Sequence, residues 1–194
     1  MSRGRLEAFS DAVIAVVITI MVLNIDPPDG DSLSDLRPLL PKLAIYLLSF
    51  VFVAIYWNNH HHLFQVVSRV GGSVLWANLH LLFWLSLTPV AAAWLGPHLG
   101  DSAPTAAYGV VLIGSAAAYT ILTRALLAVH SANSRLARAI GRDAKGKVSL
   151  VAYVVAIAVS PVAPWFSLGI YFAVAAAWLV PDRRMARALE SGAP

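Results

Sequence analysis

The chain has 194 residues, of which 59% are hydrophobic and 12% charged, with a formal net charge of +4. Soluble domains carry roughly a quarter charged residues, so a water-soluble domain of this size would lack the polar groups to cover itself. The basic charges cluster between long apolar runs, which points to orientation in a lipid bilayer and not to nucleic-acid binding; the absence of cysteine excludes disulfides and thiol chemistry.

Crossing about 30 Å of hydrocarbon takes roughly 20 helical residues at about 1.5 Å each. Six runs qualify as predicted helices. Helix 1 covers about 5–25. Its apolar part, Phe9 to Ile25, exceeds a signal-peptide core of roughly 7–15 residues. It also carries Asp11 and runs into Asp26-Pro27-Pro28 instead of a small-residue cleavage site, so it reads as a retained helix. An acidic, Pro-rich loop follows, DPPDGDSLSD. Helices 2, 3 and 4 cover about 40–66, 73–95 and 104–129. After a basic connection from His130 to Lys147, helices 5 and 6 cover about 148–163 and 165–181, divided at Pro161 and Pro164. A single broken re-entrant hairpin is the alternative reading of that last pair.

Charge supports the count. With a cytoplasmic N-terminus, the outer loops hold Asp26, Asp29, Asp31, Asp35 and Asp101, with Arg37 and Lys42 at one helix edge. The inner segments hold Arg3, Arg5, Arg69, Arg124, Arg135, Arg138, Arg142, Lys145, Lys147, Arg183, Arg184 and Arg187. Lys and Arg in short loops favour the cytoplasmic side. The expected fold is therefore an all-α integral membrane protein, a single six-helix domain over 1–194 with both termini cytoplasmic. Trp57, Trp76, Trp94, Trp165 and Trp178 fall near helix ends or flanks, where an aromatic belt places them, although ordinary packing explains each one alone.

Helix 1 carries Ser10 and Asp11 into an apolar segment. A charge at mid-bilayer costs about 2.5–3.5 kcal/mol on insertion scales. Asp11 therefore either has a partner inside the bundle or caps the helix at the cytoplasmic edge. The end of helix 2 reads Trp57-Asn58-Asn59-His60-His61-His62. Three consecutive helical side chains point about 100° apart and do not converge on one ion, and helical metal pairs use spacings of three or four, so no metal site is expected. A hydrogen-bond network with Asn78 or His80 of helix 3, or with Asp11, is the better use of these rings. Val16, Thr19, Ile20 and Leu23 form a stripe at i, i+3, i+4 and i+7. Asp11 lies about 140° from Val16 on the helical wheel. Periodicity alone assigns such a stripe to packing or lipid contact.

The start R-x-x-x-F-S-D, with Arg5, Phe9, Ser10 and Asp11, resembles the bacterial relatives of the lysosomal and endosomal potassium channel. So do Ser49-Phe50 and Trp57-x-x-His60-His61 in helix 2, and Asn78-x-x-Leu81-Leu82-Phe83 in helix 3. The resemblance implies a potassium-preferring, weakly selective cation channel of the bacterial plasma membrane. It implies four six-helix subunits gathered as a homotetramer, with helix 1 lining the pore. The narrowest apolar constriction would fall on Val16, the pore-facing hydroxyl on Thr19, and further apolar rings on Ile20 and Leu23. The family more often has a larger apolar residue where Val16 stands, and a Gly where Ala12 stands. The sequence has no TVGYG-type carbonyl filter, so selectivity would rest on side chains. Potassium and other monovalent cations are the expected permeant species, the bilayer is the other partner, and no cofactor is expected. The competing reading is a proton-coupled cation transporter using Asp11 and the His60–His62 cluster. An enzyme is not expected: Ser10, Asp11 and a histidine are the residue types of a triad, but no spacing brings them together.

Overall fold

A computed structural model describes residues 2–67, 69–130 and 143–179. Arg135, Arg138 and Arg142 of the basic connection, Arg183, Arg184 and Arg187, and the predicted end of helix 6 lie outside the described residues. The described residues form an all-α bundle of seven helices, with two short 3-10 segments. These are α1 (Arg3–Leu23), α2 (Leu40–Gln65), α3 (Gly72–Ser86), α4 (Thr88–Leu95), α5 (Ser102–Ala128), α6 (Ala144–Val159) and α7 (Pro164–Leu179). Among the described residues, four stretches are long and apolar enough to cross a membrane: Arg3–Leu23, Leu33–Gln65, Gly72–His98 and Ser102–Ala128.

Local chemistry sets the ends. The acidic loop closes into a 3-10 turn, Leu33–Leu39, through a capping box between Ser32 and Asp35, and Pro41 then opens α2. The predicted third helix is interrupted. Pro89 lacks an N–H to donate to Leu85, so the chain tightens at Leu87, whose N–H turns back to the Trp84 carbonyl at 3.2 Å, and α4 restarts at Thr88. The fifth helix starts four residues earlier than expected because Asp143, held at φ 39°, caps it by accepting from the Gly146 N–H. The turn at Pro161 falls where the sequence places it. Helices α6 and α7 have 16 residues each, about 24 Å of rise. They pack on each other, and Ser167 Oγ donates to the Ala156 carbonyl across the turn at 2.7 Å.

Two apolar clusters stack along the bundle. One joins α1, α3 and the second halves of α2 and α5 through Leu6, Ile14, Val17, Phe64, Leu81 and Leu122. The other joins the first halves of α2 and α5 to α4, α6 and α7 through Ile45, Phe52, Tyr108, Tyr153 and Tyr171. Two glycines of α5 permit close approach. A Cβ at Gly114 would collide with the Trp84 ring of α3, and one at Gly109 with the Tyr171 hydroxyl of α7. Helices α2 and α5 thus tie the halves together, while α1 belongs to one cluster only.

Candidate ion-conduction site

Helix α1 has two unlike faces. Leu6, Ser10, Ile14, Val17 and Met21 are buried, at spacings of three and four residues that keep them on one side. The predicted stripe lies on the other side. Val16 is 54% exposed, Ile20 43% and Leu23 78%, and Thr19 is exposed as well. The other described residues leave this face uncovered. Thr19 Oγ1 donates its hydrogen to the Val16 carbonyl at 2.9 Å, which occupies the proton and leaves the oxygen lone pairs as the outward-facing group. A cation meeting this face would find apolar groups that offer no coordination, interrupted by one acceptor.

The buried face is tied down by polar contacts in its first three turns. Ser10 Oγ donates to the Leu6 carbonyl at 2.9 Å, so its lone pairs are what it offers the Asn78 amide, whose Nδ2 donates to it at 2.9 Å. That fixes the amide with Oδ1 toward His60, and His60 Nε2 donates to it at 2.8 Å. The direction of each bond follows from the one before, so His60 carries its proton on Nε2. His60 also stacks on Phe64, with centroids 4.5 Å apart. All three side chains are buried. The relay joins α1, α3 and α2. Asn78 was one of several partners that the sequence allowed for the histidines; the link through Ser10 was not among them.

Asp11 finds the partner on another helix that the first of its two expected placements called for. It is exposed on the single chain, and its Oδ1 accepts from Trp57 Nε1 of α2 at 2.9 Å. The Trp57 ring stacks on His61 at 5.8 Å, and Gln65 Nε2 donates to His61 Nε2 at 2.9 Å. Phe9 and Arg5 of the signature are exposed on the same side as the stripe. Sequence reading counted Arg3 only as an inner charge. In the structure Arg3 pairs with Glu7 at 3.3 Å and donates to the carbonyls of Gln65 and Val67 at the end of α2. Its spacing of four from Glu7 was the available signal.

Comparison with known proteins extends these contacts. The model of the endosomal/lysosomal potassium channel TMEM175 family matches residues 5–89, the part of the chain that contains the stripe and the ties through Ser10 and Asp11. A potassium channel of a Chryseobacterium species is 50% identical over 190 residues, covering 98% of this chain and 99% of that one. The chain belongs to the TMEM175 family. The crystal structure of a TMEM175 homologue from Chamaesiphon minutus, described as a lysosomal potassium-selective channel homologue, superimposes with a TM-score of 0.74 at 27% identity. It covers 92% of this chain and 96% of that one. The endosomal/lysosomal proton channel TMEM175 of Gallus gallus is 29% identical over 133 residues, and this chain spans 25% of its length. This TMEM175-family protein is thus a multi-pass membrane protein and an ion channel, not an enzyme.

Proposed function

We propose that this protein conducts potassium in preference to sodium through a pore formed by α1 from four copies, with six crossings per chain, both termini cytoplasmic, in the bacterial plasma membrane. The supporting observation is the two-faced α1. Its inner side is fastened to α2 and α3, and the stripe of Val16, Thr19, Ile20 and Leu23 is left free on the other side. The named potassium channels among its relatives agree with this reading.

Four such stripes around an axis make a narrow apolar passage. Rings of Val16, Ile20 and Leu23 resist entry by dewetting and size. A ring of Thr19 oxygens replaces part of the lost hydration, and a larger monovalent cation is easier to dehydrate than a small one, so potassium passes more readily than sodium. Asp26, Asp29, Asp31 and Asp35 at the outer end of α1 raise the local cation concentration; Lys42 offsets one of them by pairing with Asp26 at 3.6 Å. The proton-coupled alternative needs Asp11 and the histidines to form one path. Asp11 bonds to Trp57 and His60 to Asn78, and no hydrogen bond joins the two sets among the described residues.

The test is the reversal potential in planar bilayers under opposed potassium and sodium gradients. Wild type should reverse on the potassium side of zero, and Thr19→Val should move the reversal toward zero while flux persists. Equal selectivity in both proteins would remove Thr19 from the mechanism. Absence of any cation flux, in wild type and in Val16→Asn alike, would remove the pore.

A further inference from the structure

We infer that Arg5 forms a basic ring at the cytoplasmic entrance of the α1 pore and makes the channel rectify, passing cations inward more readily than outward. The inference rests on the pore reading above. At about 100° per residue, Arg5 lies within about 20° of Val16, eleven residues on, and is aligned with Leu23, eighteen residues on. Phe9 and Ala12, also exposed, fill the same face between Arg5 and Val16.

Arg5 differs from its neighbour Arg3 in one respect that matters. Arg3 points to the buried side and is consumed by Glu7 and by the carbonyls of Gln65 and Val67. Arg5 is exposed and makes no ion pair or hydrogen bond among the described residues. Glu7, the nearest acid in sequence, is already engaged by Arg3. Four copies of Arg5 about a common axis would leave four positive charges at one end of the passage. The opposite end carries the acidic loop. Such a field depletes cations at the inner mouth and enriches them at the outer one.

Distance decides what this ring affects. Arg5 sits about 16 Å below Val16 along the helix, at about 1.5 Å per residue. The Debye length is about 10 Å at 0.1 M salt. The ring therefore acts on ion entry and leaves selectivity at Val16 and Thr19 unchanged.

The experiment compares wild type, Arg5→Gln and Arg5→Glu in planar bilayers with symmetric potassium chloride. It uses about 0.01 M and about 1 M salt, where the Debye length is about 30 Å and about 3 Å. The chain has no cysteine, so Leu23→Cys in each background, treated with a membrane-impermeant thiol reagent from one side, fixes the orientation. At low salt, wild type should carry the larger current inward. Arg5→Glu should raise the outward-to-inward ratio at least about twofold, a mouth potential of about one kT or less per variant step, with Arg5→Gln between them. The reversal potential in mixed potassium and sodium at about 0.1 M, where the Debye length is shorter than the distance to Val16, should not move, and at high salt the three proteins should converge. An unchanged ratio at low salt or a shifted reversal potential would each overturn the proposal. Block of Val16→Cys and Leu23→Cys by the thiol reagent reports the pore separately. If block is seen but rectification is indifferent to Arg5, only the ring fails; if no block is seen, the pore reading fails with it.

Discussion

Replacing Asn78 with leucine tests whether the three-helix relay is one energetic unit. The substitution removes the bond to Ser10 Oγ and the bond from His60 Nε2. Ser10 loses little, because its hydroxyl still donates to the Leu6 carbonyl. His60, 1% exposed, loses everything, because Nδ1 already has no partner. An orphaned buried polar group costs about 1–3 kcal/mol, whereas interhelical bonds in membranes average about 0.6 and reach about 1.7 kcal/mol. The expected loss is therefore about 1–2 kcal/mol, at the upper end of the membrane range because the orphan is complete. The companion variant, His60→Leu together with Asn78→Leu, leaves no orphan. It should sit closer to wild type than the sum of the single losses. Thermal denaturation of the four proteins in one detergent, followed by helical circular dichroism, gives the coupling. A value above about 0.5 kcal/mol is expected. Strictly additive losses would refute the relay.

Two further variants follow from the same contacts. Asp11→Ala should lower the yield of assembled protein on size-exclusion chromatography more than it changes ion selectivity, since Asp11 fastens α1 to Trp57 and lies off the stripe; Trp57→Phe, which keeps a ring beside His61 but drops the N–H, should act in the same direction and more weakly. Gly114→Ala should lower the melting temperature, by a loss of about 1–3 kcal/mol from overpacking against Trp84. Gly169→Ala in α7, where an added Cβ meets nothing within 4 Å, should raise it by up to about 1 kcal/mol.

The apolar runs made the membrane helices legible, because length and hydropathy are properties of each segment alone. The start of α1 and the whole of α2 lie within about two residues of expectation for that reason. The break at Leu87 was signalled by Pro89, which an apolar-run criterion ignores. The early start of α6 depends on one side chain, Asp143, folding back on Gly146, and composition does not record that. At the site, periodicity separated the Val16 stripe from Asp11 because a helix converts spacing into direction. Partner choice was less legible. Trp57 and Asp11 are 46 residues apart, and Asn78 and Ser10 are 68 apart. Nothing local in the sequence states that those pairs meet.

Among the described residues, the polar ties of α1 to other helices are confined to its first nine residues, from Arg3 to Asp11. Beyond them, Ile14, Val17 and Met21 hold the helix by apolar contact alone. Lipid chains are as apolar as those side chains, so separating them carries little solvation penalty in a bilayer. The helix is accordingly moored at one end and merely leaning at the other. A tilt that swings the Thr19–Leu23 end and pivots near Asp11 is its softest motion, because it leaves every directional bond of the helix intact.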